Sequence, residues 1–377
     1  MSDVVSHRTQ TSPTTTAAAR AATTFGDLSD DLHADIFLRS PPQPHWLLPI
    51  SQVCRRWHRL VTSWDFLRSF RARHGGTPPL IGVFHDNCQE GLHRFIPTAA
   101  MPATVGAFHC RTSWRILDCR HGRVLFLDAH AAARDGWRRL VLILWDPMAG
   151  SCQGIPMPPA WTVYDNGGSI TGAMVCPGGD CRYSPFKVVL MIRRAARLLV
   201  SVYSSVASEW SEVISYQGLP RWADPLMDPC VVTGSTVYQP LLGHQTLSFD
   251  LETKSFAVIP HPPATKWLHQ HVRILRLDGG VLGAVAVDNV EFSMALWVRE
   301  DAGWVQQWTV QVNMLGKGEL RHVKLLGACE NGNFILLWTR LGIFMLHLQS
   351  MELKEMPIDH TMTVGTLYPY QSFARGK

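Results

Sequence analysis

The chain has 377 residues, a hydrophobic fraction of 46%, a charged fraction of 17% and a formal net charge of +5 at pH 7. This length allows two or three domains, and this composition predicts well-cored globular domains and excludes a wholly disordered chain. The positive charge is mild, and basic groups such as Arg55–Arg56 are more typical of solvated helix faces than of a nucleic-acid arm.

The longest apolar runs, such as Leu140–Trp145 and Gly279–Val287, are far shorter than the roughly 20 residues of a membrane span. Nine cysteines occur without a C-x-x-C pair, which argues against a zinc framework or a disulfide scaffold. We therefore expect no nucleic-acid or membrane partner, reduced thiols, and a location in the cytoplasm, the nucleus or both.

The first 24 residues are rich in Thr, Ala and Ser, and they predict a disordered tail. Its sparse arginines, Arg8 and Arg20, leave a transit peptide open as an alternative.

Short amphipathic helices follow. Leu28, Leu32 and Ile36 recur every four residues and predict one apolar helix face. Ser29 is the expected N-cap, and Pro41–Pro42 should end this helix.

A second apolar cluster surrounds Leu47 and Leu48, and a further helix is predicted over 51–62. Its apolar stripe would contain Val53, Trp57 and Val61, and a short fourth helix would contain Phe70. About 40 residues cannot bury enough surface to be stable alone, so some of these apolar residues should face a partner or the downstream domain.

The order L-x-x-D-L-x-x-D-I-x-x-R, P-P, L-L, V-C-R-R-W-x-x-L-V and F-L over 28–70 resembles an F-box. This resemblance implies docking onto the Skp-type adaptor of a cullin-RING ubiquitin ligase. Four positions depart from the family pattern: Ser29 replaces its usual proline, His33 and Ser40 its leucines, and Pro49 a basic residue. We expect His33 and Ser40 to reduce the apolar surface offered to the adaptor.

After a Gly/Pro-rich linker at 74–79, short β-like runs separated by turn residues continue to the end of the chain. Hairpins with turns near 148, 207, 252, 301 and 351 recur with a period of about 50 residues, which fits a kelch-like propeller blade. Residues 80–377 leave room for about six blades, with a seven-bladed or imperfectly closed ring as the alternative, and the tail GTLYPYQSFARGK could close the ring against the first blade.

The D-P-M-A-G turn at 146–150 and the PYQSF ending resemble the kelch-like domains that follow the F-box in a large plant family. The predicted fold is therefore α+β and multidomain. A disordered tail at 1–24 precedes a small all-α F-box domain at 25–73, a linker at 74–79 and an all-β, propeller-like, substrate-binding domain at 80–377.

Few motifs for chemistry are present. The sequence has no nucleotide-binding glycine loop and no G-x-S-x-G elbow. His269-Gln270-His271 is the best metal-like cluster, but no carboxylate or cysteine stands at a useful spacing, so we predict no metal and no cofactor.

Two groups of aromatic residues have different expected roles. Tryptophans at matching places in the repeat predict packing between blades; they are Trp145, Trp210, Trp297, Trp304, Trp308 and Trp338. Four aromatics in loop-like segments are candidate substrate contacts, with simple loop packing as the alternative; they are Trp161, Tyr164, Trp222 and Trp267.

The resemblance implies a non-catalytic substrate receptor that brings an unknown target protein to the Skp-type adaptor and, through it, to a cullin. Eight side chains are assigned to the adaptor contact or its support, with Trp57 expected to be largely internal: Leu28, Leu32, Ile36, Leu47, Leu48, Val53, Cys54 and Trp57. The alternatives are a non-ligase interaction scaffold and a propeller-fold enzyme, which would need converging acids, histidines or a metal in its channel.

Overall fold

The protein is described by a computed structural model. It covers residues 24–42, 44–75, 78–87, 92–98, 114–132, 138–161, 169–176, 184–194, 197–263, 272–312, 322–358 and 365–373. The predicted disordered tail lies almost entirely outside these residues.

Four short helices form the N-terminal region: Asp30–Leu38 (α1), Pro44–Val53 (α2), Arg55–Thr62 (α3) and Trp64–Arg73 (α4). Ser29 caps α1 as predicted, because its hydroxyl accepts the backbone N–H of Leu32 at 3.3 Å. The single helix predicted over 51–62 is wrong, since Cys54 is extended (φ −157°, ψ 164°) and separates α2 from α3.

The rest of the described chain is almost entirely β-structure. Its strands are Leu80–Asn87 (β1), Leu92–Pro97 (β2), Trp114–Arg120 (β3), Arg123–Ala132 (β4), Arg138–Asp146 (β5), Ser151–Ile155 (β6), Ile170–Val175 (β7), Lys187–Arg194 (β8), Arg197–Ser204 (β9), Glu209–Trp210 (β10), Ile214–Tyr216 (β11), Val231–Thr233 (β12), Thr236–Leu241 (β13), Gln245–Asp250 (β14), Phe256–Pro260 (β15), Val272–Arg276 (β16), Leu282–Asp288 (β17), Ser293–Glu300 (β18), Gly303–Gln311 (β19), Lys324–Ala328 (β20), Phe334–Thr339 (β21), Gly342–His347 (β22), Leu353–Glu355 (β23) and Thr366–Gln371 (β24).

These strands form six antiparallel sheets within the described residues, which confirms a six-bladed propeller. Blades one to five begin in chain order at β3, β7, β12, β16 and β20. The sixth blade combines both ends of the domain, because β24 pairs with β1 and β1 pairs with β2. The C-terminal segment therefore closes the ring, as the sequence predicted.

The first strand of each of blades one to five, together with β24, lines the centre, and neighbouring members of this set contact one another around the ring. We call the end where these inner strands begin the upper face and the end where they finish the lower face. The helices join the lower face, since β1 begins at Leu80, which pairs with Gln371 at the end of β24.

Each junction between blades is filled by one apolar cluster, so the hydrophobic core is distributed around the ring. All six tryptophans at repeat positions pack into these clusters, which confirms their predicted role. Two of them also tie blades together by hydrogen bonds: the indole of Trp210 donates to Pro156 O at 2.6 Å and that of Trp304 to Pro260 O at 2.7 Å.

The predicted hairpin repeat corresponds to the third and fourth strands of blades one to five; in blade two a fifth strand, β11, also pairs with β9. Its turns connect β5 to β6, β9 to β10, β14 to β15, β18 to β19 and β22 to β23. The period of about 50 residues is therefore the length of one blade.

The helices share a core residue with the propeller. Phe373, two residues beyond β24, is buried in the helical cluster together with Phe37, Phe66 and Phe70. Its ring lies 6.2 Å from that of Phe70 in an edge-to-face arrangement, and the guanidinium of Arg71 lies 5.7 Å from its centroid. The C-terminal segment thus both closes the ring and anchors the helices.

Two further observations concern membrane-spanning helices and cysteine oxidation. No helix among the described residues is long and apolar enough to cross a membrane. Cys176, just after β7, is disulfide-bonded, so the expectation of reduced thiols throughout was wrong.

Candidate functional site

An apolar surface on α1 and α2 is exposed. Leu32 and Ile36 lie one turn apart on α1 and are 52% and 40% exposed. Val53, the last residue of α2, is 62% exposed, and Trp46 on the same helix is also exposed. We call Leu32, Ile36, Trp46 and Val53 the helical apolar surface. Exposed apolar side chains on adjacent helices are typical of a protein-binding site.

Arg56 brings α1 to the junction of α2 and α3. Its guanidinium donates to Asp30 Oδ1 at 2.6 Å, Gly26 O at 3.0 Å and Leu28 O at 2.6 Å. These bonds hold the start of α1 next to the start of α3, and therefore near Val53. Sequence reasoning treated this arginine as a solvated side chain, because its acceptors lie almost 30 residues earlier in the chain.

The other predicted adaptor residues occupy different positions. Leu47 is buried in the helical core, so of the two predicted roles, adaptor contact or support, its position fits support of the surface from within. Trp57 is half-buried in the same core, Leu28 is half-buried, and Cys54 is exposed, where its sulfur accepts Trp57 N–H at 3.5 Å. The side chain of Leu48 lies outside the described residues.

His33 is buried and does not lie on the helical apolar surface, contrary to expectation. Its ring packs against those of Phe25, Phe37 and Trp57, with centroid separations of 5.1, 5.7 and 5.2 Å. Its Nε2 atom lies 2.8 Å from Phe25 O, so the polar ring has a backbone partner inside the helical core. The departure from leucine therefore changes the core and leaves the exposed surface intact.

The four loop aromatics do not form one group. Trp161 is only 1% exposed and packs between blades one and two, so its prediction as a substrate contact is wrong. The short turn at Pro159–Trp161 directs the indole into the junction, where its large ring fills space between the sheets. Tyr164 and Trp267 lie outside the described residues, whereas Trp222 is 55% exposed.

Trp222 rests on a glycine of blade three. Its ring lies so close to Gly243 that a Cβ atom built on this glycine would be 1.9 Å from the ring. Gly243 also has φ +79°, a conformation that side-chain-bearing residues rarely adopt. The indole therefore has a fixed position against Gly243 on the upper face, at the end of the propeller opposite the helices.

Polar contacts of largely buried side chains cross the central channel. Asp118 and Arg120 of blade one form a pair at 2.6 Å, and Arg120 also donates to Cys230 O of blade three at 2.9 Å. His121 contacts Glu330 of blade five through both its ring, at 2.8 Å, and its backbone N–H. These contacts link three blades across the channel.

The electrostatics of the channel fit a structural role. Burial alone would raise the pKa of Glu330, but the hydrogen bond and charge of His121, together with Arg120, hold it below its usual value. Burial raises the pKa of Cys230 to about 12 and that of Cys329 to about 11, so both thiols stay protonated. Protonated thiols are poor nucleophiles.

Space inside the channel is limited. The cavity between the inner strands has a volume of about 50 Å³, while a cavity of about 250 Å³ opens at the upper mouth beside Met227, Arg273 and Lys324. Within the described part of the chain, no group of three or more His, Cys, Asp or Glu residues could hold a metal ion. The proposed cluster at His269 and His271 lies outside it.

Comparison with protein families gives two matches. A family described as "F-box domain" matches residues 25–69. A family described as "F-box protein AT5G49610-like, beta-propeller" matches residues 115–371, which is more than half of the chain. No curated protein matches.

Solved structures resemble the chain only distantly. A chain of a mitotic checkpoint complex has a TM-score of 0.38 at 10% identity, covering 64% of this chain and 63% of that chain. A chain from a study of two prolyl endopeptidases has a TM-score of 0.34 at 13% identity, covering 88% and 41%. An exo-β-1,3-galactanase from Clostridium thermocellum has a TM-score of 0.33 at 10% identity, covering 72% and 67%. The chain spans less than two thirds of the length of the first two.

Proposed function

Because the chain belongs to the family of F-box proteins with an AT5G49610-like β-propeller, we propose that it is the substrate-recognition subunit of a ubiquitin ligase. The F-box helices bind a Skp-type adaptor and, through it, a cullin, while the propeller binds a target protein. The chain itself catalyses no bond-forming step.

The observation that carries this proposal is the exposure of the helical apolar surface. Leu32, Ile36 and Val53 are each at least 40% exposed, although the same two helices bury Phe37 and Leu47 in the helical core. A domain of this size has little apolar surface to spare for solvent. Covering the exposed side chains with a partner helix gains about 25 cal/mol for each Å² of apolar area that is buried.

The mechanism is positional. The propeller is attached to the helices through Phe373 and β1, so the upper face is held at the far end of the molecule from the helical apolar surface. A target bound on the upper face is then kept close to a ubiquitin-charged enzyme that is held elsewhere in the assembly. Such tethering raises the effective concentration of the two reactants without new chemistry.

Adaptor capture tests this proposal directly. Purified full-length chain should retain a Skp-type adaptor in a pull-down, whereas Leu32→Asp/Ile36→Asp should lose binding roughly a hundredfold or more, because two carboxylates would be buried in an apolar contact. Equal adaptor binding by the double variant and the wild-type chain would remove the proposal.

A matched control tests whether the position of the new carboxylate matters. Leu341 is 54% exposed in the turn between β21 and β22, so Leu341→Asp adds a carboxylate at similar exposure on the propeller. It should leave adaptor binding unchanged. All variants must keep the thermal unfolding midpoint of the wild-type chain, so that loss of binding is not loss of folding.

Several finer points belong to the same proposal. The order of the motifs supports the domain limits at 25–73 and 80–377. The repeat period and the PYQSF ending support a plant source and a kelch-like character of the blades. A ligase subunit of this kind would act in the cytoplasm, the nucleus or both.

A further inference from the structure

The segment from β11 to β12, residues 217–230, crosses the upper face between blades two and three and is held along its length. Buried Arg193 donates to Ala223 O at 3.2 Å and to Pro220 O at 2.9 Å. The segment also pairs with the C-terminal end of β13, since Leu226 N–H donates to Pro240 O and Leu242 N–H donates to Asp224 O, each at 2.9 Å. A surface loop fixed in this way is preorganised for binding.

This rigid segment presents two large apolar side chains to solvent. Trp222 is 55% exposed in its position against Gly243, and Met227 is 44% exposed beside the upper mouth of the channel. Tryptophan is enriched among the residues that dominate binding energies at protein interfaces, and methionine adapts its shape to varied partners. The aromatic ring and the thioether thus offer an apolar contact with a fixed position.

Positive charge surrounds these side chains. Arg221 is exposed next to Trp222 in the sequence, and Arg197 is exposed at the start of β9, at the upper end of blade two. The carboxylate of Asp224 is 49% exposed and faces the buried Arg193, with 3.5 Å between Oδ1 and Nε, so these two charges offset each other. Arg197 and Arg221 therefore leave the net charge of these described residues positive. We call Arg197, Arg221, Trp222 and Met227 the arginine–tryptophan surface.

We infer that the arginine–tryptophan surface binds an acidic peptide segment of the target protein, with an apolar side chain seated on Trp222 and carboxylates facing Arg197 and Arg221. This inference rests on the proposed function and adds the class of substrate. Arginine forks bind carboxylates through paired hydrogen bonds, and the apolar contact supplies affinity that charge alone does not. Nucleic acid fits less well, because its binding typically needs a more extended basic surface.

Peptide selection on the full-length chain tests the inference. A displayed library of random 12-residue peptides is the probe, and selected peptides are then synthesised and measured by fluorescence anisotropy. We expect the selected peptides to combine Asp or Glu with an adjacent aromatic or aliphatic residue. Trp222→Ala and Arg221→Glu should each weaken their binding roughly ten- to thirtyfold.

Two matched controls exist. Lys187 is exposed at the opposite, lower end of β8, and Trp64 is 50% exposed on the helices. Lys187→Glu and Trp64→Ala should leave peptide binding unchanged within about twofold. Gly243→Ala tests the position of the ring without removing it, because a methyl group there displaces Trp222; binding should weaken while the thermal midpoint reports any cost in folding.

Three results would overturn the inference. They are selected peptides that bind Trp222→Ala and Arg221→Glu as well as the wild-type chain, selected peptides that are basic, and tighter binding of a 20-nucleotide single strand with the same dependence on Arg221. The adaptor experiment is separate, because Leu32→Asp/Ile36→Asp should keep full peptide binding. Failure of the wild-type chain to capture the adaptor, with intact peptide binding, would count against the ligase role alone.

Discussion

The helices and the propeller bury their apolar side chains in different ways. In the propeller, every junction between blades has its own cluster, and ring closure by β24 leaves each blade with two neighbours. The helices have a single cluster, and one of its buried members, Phe373, comes from the end of the propeller. Their opposite surface keeps Leu32, Ile36 and Val53 exposed.

This difference shows how a small domain can leave an apolar surface exposed and stay folded. A helical domain of this length is only marginally stable, because it buries little apolar area. Every apolar side chain that it exposes for binding reduces that area further. Phe373 supplies the missing core volume from the larger domain. We therefore expect the folding stability of the helices to depend on the propeller, and the folding stability of the propeller not to depend on the helices.

Phe373→Ala should produce the largest effect. Removing a buried phenylalanine side chain typically costs about 3–5 kcal/mol, and here the cost should fall on the helical cluster. Amide hydrogen exchange in α1–α4 should accelerate roughly a hundredfold or more, while exchange in β7, β8 and β9 stays at the wild-type rate.

The control is Phe292→Ala, because Phe292 is 37% exposed on blade four and far from the helices. It should leave the exchange of the helices unchanged. If Phe373→Ala speeds exchange equally in the helices and the blades, the dependence is mutual and the comparison between the two regions fails.

Features that depend on neighbouring residues could be predicted from the sequence. Ser29 caps α1 through the N–H three residues ahead, and each hairpin turn of the repeat joins strands that follow one another in the chain. Pairing of β24 with β1 was also predictable, because a closed ring needs its two ends to meet.

Features that depend on distant partners could not be predicted in this way. The acceptors of Arg56 lie at and just before the start of α1, and the ring partner of Phe373 is Phe70, some 300 residues earlier. Trp161 was wrongly placed on the surface because a Pro- and Gly-rich segment reads as a loop whichever way its aromatic ring points. Composition predicts a turn, whereas burial depends on the shape of the neighbouring blade.

The next largest effect should be a loss of propeller stability at acid pH, which arises from a buried histidine of the propeller. His261 contacts Thr246 Oγ1 through Nε2 at 3.0 Å, and burial, followed by the nearby His244, lowers the pKa of His261 from 6.5 to about 4. Between these values the unfolded chain binds a proton that the folded chain does not. The propeller should therefore lose on the order of 2–3 kcal/mol of stability as the pH falls from 6.5 to 4.

Denaturant unfolding of the propeller at pH 7.5 and 4.5 measures this loss. His261→Gln keeps a polar group beside Thr246 and removes the titration, so its stability difference between the two pH values should be smaller by about 2 kcal/mol. Thr246→Val is the control, since it removes the hydroxyl partner and leaves the imidazole in place. An unchanged pH dependence in His261→Gln would show that the acid sensitivity arises elsewhere.

Arg56 should give the smallest effect, and it tests the end of the helical region that is farthest from Phe373 in the sequence. Its side chain is 43% exposed, so its ion pair with Asp30 is screened by water and contributes less than a buried pair. The two bonds to Gly26 O and Leu28 O add the usual modest gain of hydrogen bonds to a charged donor. Arg56→Met keeps the apolar stem and removes these bonds, so the segment before α1 should be less stable by about 1–2 kcal/mol. Amide exchange at Asp27 and Leu28 should then be roughly tenfold faster.

Arg55→Met, one residue earlier and also exposed, should leave that exchange unchanged. Equal exchange in both variants would mean that the apolar core alone fixes α1, so that Phe373 and its neighbours hold the helical apolar surface in place without help from the charged side chain.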